Sequence, residues 1–279
     1  MNEQVELNSI SKDTCFVGAT NVGKGRRAAV VPGKTAARYL HYGRITIDAG
    51  DAPISFDNHD HETGLICLNG DAEVVTGGET YQLGQYDSVY VPRDSTIEVR
   101  AGANGCDVAE VSAPVSNKYP ARFVSYADVR ANPKLHIIAG KPPAERDLNV
   151  LIGANVDAGR IMAGLHFQLR ATGLHGRRMS TRACWRKPIC LSTCPEPAFG
   201  VQFVYTDPAR PELVQVVREG DCVLMPQGYH PNVAAPGTQI NFLWMMAAIR
   251  EGEDRQYGVV NVQPEFAAGG SGLEAAAGK

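Results

Sequence analysis

The sequence predicts an all-β fold built from two copies of one β module, on three observations. Short apolar runs recur every eight to twelve residues, punctuated by 29 glycines and 17 prolines. No long stretch carries the 3.6-residue period of a helix. The rhythm of "ETYQLGQYDSVYVPRDSTIEVRAGANGCDVAEVSA" (79–113) returns in "ELVQVVREGDCVLMPQGYHPNVAAPGTQINFLWMMAAI" (212–249), which is the mark of a duplicated unit.

The elements follow in order. In "GLICLNGDAEVVTGGETYQL", Ile66, Leu68, Ala72 and Val74 belong to strand-forming runs. Asn69-Gly70 and Gly77-Gly78 are dipeptides of the tight-hairpin type. "YDSVYVP" enters a further strand, which Pro92 ends. The stretch 116–153 mixes Pro, Lys and Asp and reads as a linker with one short helix near Tyr126–Asn132. The expected modules are therefore 20–125 and 150–262, joined into an all-β barrel or sandwich pair.

Composition narrows the function. A chain of 279 residues with 44% hydrophobic residues buries a sizeable core. A net charge of −3 gives no general attraction to nucleic acid or to an anionic membrane. The opening "MNEQVELNSISKDT" lacks the apolar centre of a secretion signal. No apolar run approaches the roughly 18 residues of a membrane span. Seven cysteines without such a signal point to free thiols in a reducing cytoplasm.

"GDCVLMPQGYHPNVAAPG" (220–237), with "FGVQFVYTD" (199–207) before it and "LWMMAA" (243–248) after it, resembles the 5-deoxy-glucuronate isomerases of inositol catabolism. "VVPGKTAARYLHYGRITIDAG" (30–50) and "DSVYVPRDSTIEV" (87–99) sit where that family has its first module. The resemblance implies a bicupin, two cupin barrels in one chain. It implies an aldose–ketose isomerase of a sugar acid, with a related uronate ketol-isomerase of pectin breakdown as the alternative. A non-catalytic sugar-acid-binding cupin is the reading from a different class. A small-molecule substrate and a divalent metal, Zn or Mn, are implied, and a homo-oligomer is compatible with it.

Such an isomerisation moves a proton between adjacent carbons, so a base and a stabiliser of the developing oxyanion are required. A cupin supplies metal ligands as H-x-H-x(3–5)-E on one strand pair and a second His later. Alternate residues of a strand share a face, which explains the spacing. His230 in "QGYHP" matches the later His as a metal ligand; the plain alternative is a structural His beside a turn. Tyr205 and Tyr229 are the catalytic candidates, as proton donors or as rim packing. Gln202 lies three residues from Tyr205, on the opposite face of a regular strand. Gln227 stands where the family has Arg, which weakens a carboxylate-binding role there.

The H-x-H-x-E strand belongs where this chain reads "GLHGRRMSTRACWRKPICLSTCPEP" (173–197). That stretch offers one His, His175, and no acid before Glu196. Arg177, Arg178, Arg182, Arg186 and Lys187 would repel a cation. Cys184, Cys190 and Cys194 are spaced C-x5-C-x3-C, which fits no common zinc module. With one aromatic residue, Trp185, the stretch makes a poor nucleic-acid platform. Permitted codons for Leu174–Cys190, read out of register, spell "SWPPHEHAGMLEEAYL", which contains H-x-H-x4-E. The expectation is a frameshifted segment from about Leu174 to Cys194, closed before Pro195. A protein with the printed residues is expected to bind metal weakly and to lack isomerase activity.

Two further groups are weaker. His59 and His61 in "DNHDHETG" form an H-x-H without a following acid at the usual distance, and read as a polar loop. "TNVGKGRR" (20–27) lacks the spacing of a phosphate loop and reads as a basic loop.

Overall fold

The structure is a computed structural model that describes residues 9–139, 145–168, 185–193, 198–236, 238–256 and 263, with backbone alone for 185–193. It is all-β, as the turn spacing predicts. The first module holds β2 (Gly25–Val30), β3 (His41–Ile47), β4 (Ile54–Asp57), β5 (His61–Thr76), β6 (Glu79–Leu83), β7 (Ser88–Val91), β8 (Thr96–Pro114) and β9 (Arg122–Val124). Its sheet runs β2-β3-β8-β5-β7-β9, with β4 on β8 and β6 on β5.

The second module holds β10 (His136–Ala139), β11 (Arg146–Ile152), β12 (Ile161–Gln168), β13 (Trp185–Thr193), β14 (Gly200–Val204), β15 (Leu213–Val217), β16 (Cys222–Met225), β17 (Asn232–Ala234) and β18 (Asn241–Ala248). The strands form a seven-stranded sheet, β1 (Phe16–Val17)-β16-β13-β18-β12-β11-β10, and a three-stranded one, β15-β14-β17. Its edge strand, β1 (Phe16–Val17), comes from ahead of the first module and follows a one-turn helix α1 (Lys12–Cys15). The helix expected in the linker is α2 (Tyr126–Ala131), capped by the Ser125 hydroxyl, which accepts from the Asp128 amide. No described helix is long and apolar enough to cross a membrane.

The two expected hairpins part company. Gly77-Gly78 does turn β5 into β6, with Thr76 opposite Glu79 and both glycines at positive φ. Asn69-Gly70 does not turn the chain. It is a bulge inside the 16-residue β5, where pairing with β8 shifts register. Gly70 sits at φ 71°, and a Cβ there would lie 2.1 Å from the Gly105 carbonyl oxygen. The bulge bends β5 so that one half pairs with β7 and the other with β6.

Alternation sets the core. Ile45, Ile47, Leu65, Cys67, Val99 and Val108 point into the first module and form its own cluster. A second cluster runs without a break from Tyr42, Ile66 and Tyr90 into Leu151, Ile161 and Met245. The modules therefore share a core. Glu62 of β5 is fully buried at this seam. Its carboxylate accepts from the backbone amides of Gly159 (2.7 Å), Arg160 (2.6 Å) and Ile161 (2.7 Å) and from the Tyr90 hydroxyl (2.8 Å).

Candidate active site

The turn after β16 is built around Gly228, at φ 79°, where a Cβ would lie 2.2 Å from the Tyr205 carbonyl oxygen. That close approach lets Tyr229 pair with Tyr205 as an antiparallel bridge: Tyr205 N donates to Tyr229 O (2.9 Å), and Tyr229 N to Tyr205 O (2.7 Å). The two rings lie 5.8 Å apart at 48°. The structure thus brings together the two tyrosines predicted from sequence. Tyr205 is buried, and its hydroxyl donates to Gln263 Oε1 (2.9 Å). Tyr229 is half-buried.

His230 follows directly and is buried. Gln202 holds it. The Gln202 side-chain amide donates to the carbonyls of His230 and Pro231, each at 3.0 Å, and its oxygen accepts from Asn232 (3.2 Å). The sequence carries no motif for this role. The regular strand β14 ends at Val204, and both Val204 and Tyr205 are buried, so strict alternation does not extend to Tyr205. Gln227 is exposed.

His166 on β12 had no motif to announce it. It pairs across to Phe242, with ring centroids 4.2 Å apart. Desolvation, reinforced by the charge of Arg146, lowers its pKa to about 3, so the imidazole is neutral. Arg146, Leu148, His166, Gln168, Phe242 and Trp244 share one face of the sheet. Phe167 and Ile161, on the other face, meet Tyr86 and the Gly64 site of the first module.

His175, the other predicted metal ligand, lies outside the described residues, as do the side chains of Cys184, Cys190 and Cys194. Among the described residues no group of three or more His, Cys, Asp or Glu has the arrangement to hold a metal ion. The described donors therefore do not make up the Zn or Mn site that the resemblance implies. His59 and His61 lie at the turn into β5, His59 at φ 49°. The basic loop is engaged rather than open: Lys24 pairs with Asp48, and Arg26 with Glu110.

The known proteins similar to this chain are sugar-acid isomerases and cupin-fold proteins. The chain is 27% identical over 241 residues to a 5-deoxy-glucuronate isomerase of Geobacillus kaustophilus, covering 80% of this chain and 85% of that one. It is 28% identical over 131 residues to a 4-deoxy-L-threo-5-hexosulose-uronate ketol-isomerase of Cereibacter sphaeroides, covering 42% and 46%. An IolB-like protein of Salmonella typhimurium superposes with a TM-score of 0.76 at 21% identity, over 91% of this chain and 97% of that one. The barrels are of the cupin type. The model of the KduI/IolB family matches residues 18–169 and 192–265, which leaves 170–191 unmatched. On that match, the chain belongs to the KduI/IolB family, whose members are uronate isomerases.

Proposed function

We propose that the second barrel is the reaction chamber of an aldose–ketose isomerase that converts 5-deoxy-glucuronate to 5-dehydro-2-deoxy-gluconate. The observation that carries this reading is the match to the family on both sides of residues 170–191, with the Tyr205–Tyr229–His230 turn intact in its second part. The reaction needs a group to protonate or steady the enediol oxygen. The Tyr205 hydroxyl already donates its hydrogen bond to Gln263 Oε1. Tyr229, beside it and more open, is the better-placed donor. Gln202 fixes the backbone of His230 and so the direction from which that residue enters the site. A divalent metal, when bound, supplies Lewis-acid stabilisation of the same oxygen. Its ligand set is not assembled by the described residues.

One observation favours a second reading. The stretch the family model passes over is the one that should carry the H-x-H-x-E strand. A barrel with the printed residues there would bind a sugar acid without turning it over. The test is to incubate the purified chain with 5-deoxy-glucuronate and follow both species by NMR. Ketose formation supports the isomerase. Saturable line broadening without ketose supports the binding protein. Neither signal overturns both.

A further inference from the structure

We propose that the mouth of the first barrel is a second ligand site, for a neutral polyhydroxylated molecule of sugar size. This goes beyond the isomerase reading and does not rest on it.

A cavity of about 450 Å³ opens there, within the range of small-molecule sites. The register shows how it is built. Arg26 lies opposite Ile45, His41 opposite Ser112, and Ser112 opposite Thr63. Paired residues share a face, so His41, His61, Thr63, Glu110 and Ser112 crown the same interior that Ile45, Leu65 and Val108 fill below. Gly43, between them, contributes no side chain. The turn of Asp57, Asn58 and His59 forms the other wall.

The chemistry of this mouth is acceptor-rich. His41 Nδ1 faces the Tyr39 carbonyl at 3.2 Å, and His61 Nδ1 faces the Asp60 carboxylate at 2.9 Å. Both oxygens only accept, so each Nδ1 carries a proton, and the ring of His41 keeps a lone pair on Nε2. Burial, followed by the neighbouring His61, lowers the pKa of His41 and holds it neutral. His61 Nε2 is buried without a partner among the described residues. The two rings meet edge to face, 4.6 Å apart.

The charges select among ligands. Arg26 is the one Lys or Arg among the described lining residues, and it is spent. Its Nε and Nη2 donate to Glu110 at 2.7 and 2.8 Å, and its guanidinium lies 3.7 Å from the Phe56 ring centroid. Asp57 and Glu110 leave no positive field to attract a carboxylate. The absence of a metal-holding group among the described residues argues against a bound cation. Hydroxyl groups match the lone pairs of His41, Glu110 and the Ser112 hydroxyl, and His61 belongs to the same lining.

The test is an imidazole NMR titration of the full chain with D-glucose, D-mannitol, D-glucuronate and, separately, ZnCl2. The expected result is saturable shifts of the His41 and His61 ring signals with at least one neutral sugar, and a response to glucuronate at least tenfold weaker. His41→Phe and Ser112→Val should each weaken the neutral-sugar response at least tenfold while circular dichroism shows an unchanged fold. Neutral sugars without effect, glucuronate binding as well as glucose, or signals that move with zinc alone would each overturn the proposal.

Discussion

Glu62 offers the sharpest test of how the two barrels are joined. Its Oε1 accepts from Arg160 N and Ile161 N, and its Oε2 from Gly159 N and the Tyr90 hydroxyl. In Glu62→Gln the amide oxygen keeps the first pair. The new NH2 group then faces two donors. Tyr90 can rotate its hydroxyl and accept, but the Gly159 N–H cannot. An orphaned buried N–H costs about 1–3 kcal/mol, and the bonds that survive lose their charge assistance, about 1 kcal/mol each. Relief of a buried charge offsets part of this. A net loss of about 2–4 kcal/mol follows, or about 3–7 °C in Tm for a chain of this size. Because these bonds cross the seam, the calorimetric transition should also broaden or split. The surface variant Glu98→Gln, which removes one partner of exposed Arg100, should change stability by less than about 0.5 kcal/mol. Differential scanning calorimetry of both variants decides the matter. A Glu62→Gln protein within about 1 °C of wild type, melting in one cooperative step, would refute the reasoning.

Three other outcomes are expected. His166 is held neutral in the fold, with a pKa near 3 against an ordinary 6.5. The unfolded chain therefore binds the extra proton first as pH falls. Stability is full above about 6.5 and declines by about 1.4 kcal/mol per unit toward pH 3. Relative to His166→Leu, wild type should lose about 2 kcal/mol between pH 7.5 and 5.0 by urea midpoints; equal slopes would contradict this. Gly228→Ala combines a left-handed residue with a 2.2 Å approach to a backbone oxygen and should cost about 2–4 kcal/mol. Gly252→Ala, at φ 76° in open space, should cost about 1 kcal/mol, so the difference reads the clash alone. Tryptic mass mapping across 171–210 should give short fragments cut after Arg177, Arg178, Arg182 and Arg186 if the printed sequence is the physical one, and such a chain should lose added Mn²⁺ or Zn²⁺ on dialysis. One long acidic, His-containing peptide would place the alternative frame in the protein and the missing ligands with it.

The fold was legible because its signals are local. Gly77-Gly78 turns a hairpin by its own φ preferences, and Ser125 caps a helix within three residues. Asn69-Gly70 misled because its geometry answers to a distant neighbour, the Gly105 carbonyl on β8. The site divides in the same way. Tyr229 and His230 stand in one short motif, and Tyr205 lies in a second quoted motif, just beyond the strand β14. His41 and His61 meet only through a sheet register, and His166 hides in an otherwise apolar strand. Gln202 acts through carbonyls 28 and 29 residues away. Single-sequence periodicity contains no term for such partners.

The edge strand β1 has a consequence for synthesis. Phe16 and Val17 pair with Val223 and Cys222, and Thr20 N donates to the Gly220 carbonyl at 2.8 Å. The ribosome makes these partners some 200 residues apart. At about 5–20 residues per second, the early segment waits roughly 10–40 s for its place. The first barrel can close meanwhile, since its own strands are all available. The last act of folding is then a tether drawn over the second barrel by residues made first. Nascent chains stopped before residue 220 should leave that segment open to proteases.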